Sequence, residues 1–196
     1  MNVPASASEH PATWKFDYPV YHPADLAAWR AWLAEHHATA RGCWVASWRK
    51  GSGLAPVPYA DLVEEALCWG WIDSTVNTLD EARGLQMMTP RKARSTWTRL
   101  NRRRVEALEE QGRMTDAGRR AVEVARANGW WTILDPVEDL VVPDDLAAAL
   151  DTDPALRAAW ERTSPSLRKQ ALLSLVTAAG ADTRARRIVA VCRGLL

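Results

Sequence analysis

The sequence predicts an α+β protein, mostly helical, with a small antiparallel or mixed sheet of about three strands and a C-terminal helical subdomain. Three observations carry this. Apolar residues recur at helical spacing over residues 23–38 and again after Pro58. Residues 43–50, 71–78 and 85–89 read as strands, and three strands backed by helices are near the minimum for a stable sheet. Beyond residue 142 the chain becomes a series of short, Ala-rich segments with clear helix start signals.

The first helix, over 23–38, carries Leu26, Trp29, Leu33 and His36 on one stripe, with Trp32 beside it. In 43–50, Trp44, Val45 and Trp48 sit in an alternating pattern that Gly51-Ser52-Gly53 breaks. Pro58 opens a second helix whose inner face holds Leu62, Val63, Ala66 and Leu67, and Gly70 stands where a left-handed cap ends it. A turn over 79–84 joins the next two strands. After Pro90, Ser95 takes the N-cap place of a helix over 96–111, with Gly112 just past its end. Thr115 caps another helix that stops at Asn128-Gly129.

Residues 130–142 look irregular, with a turn at Asp135-Pro136, and are expected to be a linker. In the tail, Asp153-Pro154 and Ser164-Pro165 each read as an N-cap followed by Pro at the first helical position. Gly180 ends one helix, Asp182 caps the last and Gly194 terminates it. The expected organisation is a flexible lead over 1–22, an α+β core over 23–129, the linker over 130–142 and a helical module over 143–196.

Composition narrows the function classes. With 47% hydrophobic and 25% charged residues and a net charge of +1, the chain reads as an ordinary globular protein without a wholesale electrostatic partner. A nucleic-acid partner is disfavoured on that ground, while a protein partner stays open. No stretch has the length of a membrane-spanning helix, and the N-terminus lacks the basic head and apolar run of a signal peptide, so a cytoplasmic protein is expected. Cys43, Cys68 and Cys192 are odd in number and widely spaced, which fits reduced thiols and no zinc site. Eleven Trp stand against one Phe. Each indole needs an acceptor for its N–H, so such a core must supply internal acceptors or leave indoles at a pocket wall.

Residues 68–101, CWGWIDSTVNTLDEARGLQMMTPRKARSTWTRLN, are the densest in polar groups beside indoles. Arg83 to Arg104 holds eight basic residues and no acid. Arg91, Lys92 and Arg94 precede the expected helix, whose N-terminus also favours negative charge. The candidate ligand-binding residues are Trp71, Asp73, Arg91, Arg94, Ser95, Trp97 and Asn101. Arg91 and Arg94 would clamp an anionic or zwitterionic ligand, and Trp71 and Trp97 would wall it. Asp73 and Asn101 would orient it, with Asn101 one helical turn beyond Trp97. Asp73 is also the candidate acid or base, though pairing with an Arg suffices to explain it. Ser95 is explained as a cap. The four His lie far from it in sequence, and no nucleophile motif, phosphate loop, metal constellation or cofactor fingerprint is present. In the tail, Arg168, Lys169, Arg184, Arg186 and Arg187 form a second basic cluster, read as surface charge or as a face for an acidic partner.

The runs CWGWIDS, TPRKARSTWTRLN and GRMTDAG, followed by VPDDLAAAL, DPALRAAW, SPSLRK and DTRARRI, resemble the YdeI/OmpD-associated, or bacteriocin-protection, family from about Trp29 to Ile188. The matching positions are Gly70, Trp71, Asp73, Pro90, Arg91, Ser95, Trp97, Asn101, Gly112, Met114, Gly118, Thr183, Arg184 and Arg187. The chain departs from the family pattern at Ala179-Gly180, where Ala-Lys is usual, and at Leu173-Ser174-Leu175, where a Trp is common. The resemblance implies a link to resistance against bacteriocins or antimicrobial peptides and to an outer-membrane porin. It carries over no catalytic residue. Three functions are therefore weighed: a module binding a small anion, an enzyme using Asp73, and an interaction protein using the basic helix or the tail.

Overall fold

The computed structural model describes residues 18–195. The chain divides into two compact units, the first holding residues up to Ser95 together with Leu100–Asn128, the second holding Thr96–Arg99 and residues from Gly129 onward. The first runs β1 (Val20–Tyr21), α1 (Leu26–His36), β2 (Cys43–Trp48), α2 (Tyr59–Cys68), β3 (Trp71–Thr78), β4 (Arg83–Pro90), α3 (Arg99–Glu110, apart from Arg99 itself) and α4 (Asp116–Ala127). The protein is α+β and mostly helical, as its sequence predicts.

Among the described residues the sheet has four strands in the order β1-β2-β4-β3, against about three expected. β1 pairs parallel to β2, and the other pairs are antiparallel, which makes the sheet mixed. The extra strand lies inside the stretch expected to be a flexible lead; residues 1–17 of that stretch lie outside the described residues. Val20 is fully buried, and the Trp44 amide donates to the Pro19 carbonyl at 2.8 Å, which ties this segment to β2. A two-residue strand leaves no alternation to detect in the sequence. Val20, Trp44, Ala46, Leu85 and Met87 form one apolar face of the sheet.

Part of the Trp-rich composition resolves into stacked rings, and the indoles of Trp29, Trp69 and Trp71 donate to internal acceptors. Tyr21, Trp29 and Trp32 stack at 5.3 to 6.4 Å between ring centres, and Trp32 meets Trp71 edge-on at 5.8 Å. Trp29 donates to the Leu62 carbonyl at 3.1 Å and so joins α1 to α2. Cys43 and Cys68 are buried thiols, and burial pushes both pKa values up, Cys68 to about 11.

The start of α3 differs from expectation. The helix begins at Arg99, and the Ser95 hydroxyl accepts from the Lys92 amide at 2.9 Å instead of capping it. The Ser95 side chain thus closes a local turn three residues back, the competing use that hydroxyls offer the backbone. Because Trp97 precedes the helix, the expected alignment of Trp97 with Asn101 one turn apart does not occur.

The second unit contains α5 (Asp135–Glu138), α6 (Asp144–Leu150), α7 (Pro154–Arg162), α8 (Pro165–Val176) and α9 (Ala181–Arg193). Asp153 and Ser164 accept from Ala155 and Leu167 amides as caps, each followed by Pro. Gly180, and not Asp182, occupies the N-cap position of α9, with Asp182 in its first turn. Residues 130–142, expected to be a linker, hold α5 and put Leu134 and Val137 into a core with Leu146, Leu150, Leu156, Trp160, Leu172 and Leu175. Polar residues between these positions hid the apolar set from a reading by local pattern. Among the described residues, no helix is long and apolar enough to cross a membrane.

Candidate anion-binding cleft

Three backbone features of the first unit meet beside the α2–β3 turn. Gly70 takes φ +73°, a left-handed conformation that lets the chain reverse and places Trp69 and Trp71 on either side of it. The Arg91 amide donates to the Gly70 carbonyl at 2.9 Å, which fixes the exit of β4 against this turn. Thr115, the cap of α4, donates to the Cys68 carbonyl through its amide at 3.0 Å and its hydroxyl at 2.7 Å. α4 therefore approaches closely: a Cβ on Gly118 would lie 2.3 Å from the Cys68 carbonyl oxygen.

These features border an open cleft of about 420 Å³. His37, Trp69, Trp71, Arg91, Lys92 and Arg120 line it, over a floor that includes Gly70, Ala117 and Ala121. Among the described residues, its lining contains three formal cations and an imidazole and no carboxylate. Trp71 is 1% exposed and donates its N–H to the His37 carbonyl at 3.3 Å. Trp69 lies against the His37 ring at 4.7 Å and donates to Glu65 at 3.2 Å.

Of the residues singled out in the sequence, Trp71 and Arg91 line this cleft together. The Arg91 guanidinium is largely buried; burial pushes its pKa down to about 9, against the opposing pull of the nearby Asp73 carboxylate. It remains a cation at neutral pH. Asp73 follows Trp71 by two residues and accepts a hydrogen bond from the Tyr59 hydroxyl. Burial and that bond push the Tyr59 phenol up to about 12, so it stays protonated. The Asp73 carboxylate is thus held by a phenol and lies close enough to Arg91 to act on its charge.

The other expected residues lie elsewhere. Arg94 is exposed and does not line the cleft. Ser95 closes its turn with Lys92. Asn101 accepts from Arg104 at 3.2 Å on α3. Trp97 belongs to the second unit, where it is 1% exposed and packs against Trp131 at 4.9 Å. The anion expected at the N-terminus of α3 is the protein's own: Glu138 accepts from the Arg99 amide at 3.0 Å, and Asp139 receives a forked bond from the Arg99 guanidinium at 3.0 and 3.1 Å.

The basic runs are likewise distributed among internal acids. Arg83 pairs with Asp80, and Arg104 lies 3.8 Å from Glu64. In the tail, Arg184 grips Asp145 at 2.6 and 2.9 Å, Arg187 donates to the Ser174 carbonyl, and Arg168 donates to the Thr163 carbonyl at 3.0 Å. These three serve the packing of the second unit, which weakens the reading of that cluster as an open basic face.

His37, Trp69 and Arg120 were not singled out as ligand residues, and Glu65 and Tyr59 were not singled out at all. Glu65 left a signal: it sits three residues after Leu62 and four before Trp69, a carboxylate on the inner side of an apolar helix. It is 1% exposed and accepts from Trp69, Arg30 and Arg113. Arg120 left none, since only the packing of α4 brings it to the cleft. Among the described residues, no group of three or more His, Cys, Asp or Glu could hold a metal ion.

Residues 21–121, just over half of the chain, match a family model described as a domain of unknown function, DUF8412. Residues 139–195 match the model described as Bacteriocin-protection, YdeI or OmpD-Associated, the family whose motifs the sequence resembles, here over the tail. No curated protein and no solved structure matches the chain.

Proposed function

From a chain that belongs to the DUF8412 family and carries a bacteriocin-protection, YdeI or OmpD-associated domain at residues 139–195, we propose a binding protein whose first unit holds a small anion in the Trp/Arg cleft. One observation carries the reading. In a protein of net charge +1, the cleft collects Arg91, Lys92, Arg120 and His37 and, among the described residues, no carboxylate lines it. Fixed positive charge beside indole walls lowers the cost of removing an anion from water, and the buried guanidinium at 91 is already desolvated. The description attached to residues 139–195 supports bacteriocin protection as the setting in which the whole chain works.

The test is thermal unfolding of the purified protein against a panel of inorganic and organic anions. A ligand at a hundredfold excess over its dissociation constant stabilises by ~2.7 kcal/mol, which raises the midpoint by several degrees. Arg120 is exposed, so Arg120→Glu should fold normally and lose that rise. Midpoints that no anion moves, or that move equally in the variant, overturn the proposal.

A further inference from the structure

We infer that the ligand of this cleft is an anion on a flat apolar body, an aryl carboxylate in chemical class, and not a hydroxyl-rich anion such as a sugar phosphate. The inference rests on the anion-binding reading above and goes further by asking what the walls can offer a ligand besides charge. Their uncharged donors are already committed inside the protein. The Trp69 N–H is given to Glu65 and the Trp71 N–H to the His37 carbonyl. The His37 Nδ1 lies 2.9 Å from the Leu33 carbonyl and donates there.

Three backbone groups of the lining are committed as well. The Arg91 amide bonds the Gly70 carbonyl, the Lys92 amide bonds the Ser95 hydroxyl, and the Ala93 carbonyl accepts from Asn128 at 2.6 Å. The floor of Gly and Ala adds no polar side chain. Beyond these bonds the cleft offers the positive charge of Lys92 and Arg120, ring surface and the second nitrogen of His37. A ligand rich in hydroxyls entering the cleft would give up water at every hydroxyl and find one neutral side-chain acceptor, the second nitrogen of His37, which costs affinity. An aromatic ring meets the indole of Trp69 and the ring of His37 without that loss. A volume of about 420 Å³ suits one or two fused rings bearing a carboxylate.

The test is calorimetric titration of the full chain with 2-naphthoate, inorganic phosphate and glucose 6-phosphate. The expected result is 2-naphthoate binding at least about tenfold more tightly than either phosphate compound. Trp69→Leu should abolish that preference while circular dichroism shows a retained fold. Glucose 6-phosphate or phosphate binding as tightly as 2-naphthoate, with affinity lost in Arg120→Glu, overturns the aryl assignment and leaves the anion site standing. No binding of any of the three overturns both. The comparison among ligands is made on the unaltered protein, so it does not depend on any variant folding.

Discussion

The indole N–H of Trp69 donates to Oε1 of Glu65 at 3.2 Å, so one wall of the cleft hangs on a carboxylate that is 1% exposed. The same carboxylate accepts from Arg30 at 3.4 Å and Arg113 at 3.3 Å. A buried charge survives only when its lone pairs are filled, and here three donors from separate parts of the first unit fill them. Glu65→Ala should lower stability by about 2–4 kcal/mol in urea unfolding, because the indole and two guanidinium groups lose their common acceptor. Glu65→Gln should cost less, since its amide oxygen still receives the indole. Equal losses for the two variants would show that the indole bond contributes nothing.

Gly118 and Gly180 offer a contrast between closeness and openness. A Cβ at Gly118 would meet the Cys68 carbonyl oxygen at 2.3 Å and its carbon at 2.8 Å, both backbone atoms that cannot rotate away. Gly118→Ala should therefore destabilise the protein by roughly 1–3 kcal/mol through overpacking of α4 against the turn. Gly180 has nothing within 4 Å of its added Cβ, and its φ of −172° is extended backbone. Gly180→Ala should stay within about 1 kcal/mol of the original. Thermal unfolding of the two variants side by side decides the matter.

Tyr59 reports on Asp73. Its pKa is raised to about 12 by burial and by donation to the Asp73 carboxylate. A raised pKa means the folded state favours the protonated phenol. That contribution to stability is complete below the ordinary value of 10.0 and is lost as pH rises through about 12. Ultraviolet titration of the folded protein should show one tyrosine ionising late. Asp73→Asn should bring that ionisation to lower pH, because the acceptor's negative charge is gone. An unchanged titration would mean that burial alone raises the phenol.

Much of the fold was legible residue by residue. Thr115, Asp153 and Ser164 cap the helices they precede, and Gly70 and Gly112 adopt the left-handed conformation expected of them. A cap or a glycine turn is decided within four residues, so its signal is present in the string itself. Ser95 shows the limit of such signals: the same hydroxyl can cap forward or close a turn backward, and neighbours decide which. The candidate site divides in the same way. Trp71 and Arg91 stand out in the sequence as an indole and a cation in one short stretch, and the β3–β4 pairing, which sets Trp71 opposite Pro90, brings them together. Asn101 and Trp97 were grouped with them on a helical alignment that begins two residues too late to exist.

By itself, then, the string of residues determined the class of the fold, the order of its principal helices and strands, and the presence of indoles beside cations near residue 71. Those properties follow from periodicity, caps and turns, which act over a few neighbouring positions. Only the tertiary structure decided that Arg120 and His37 face Trp71 while Trp97 is claimed by another core. Such partners stand 34 or more residues apart along the chain, and which of them meet is set by how α4 seats against the turn at Gly70.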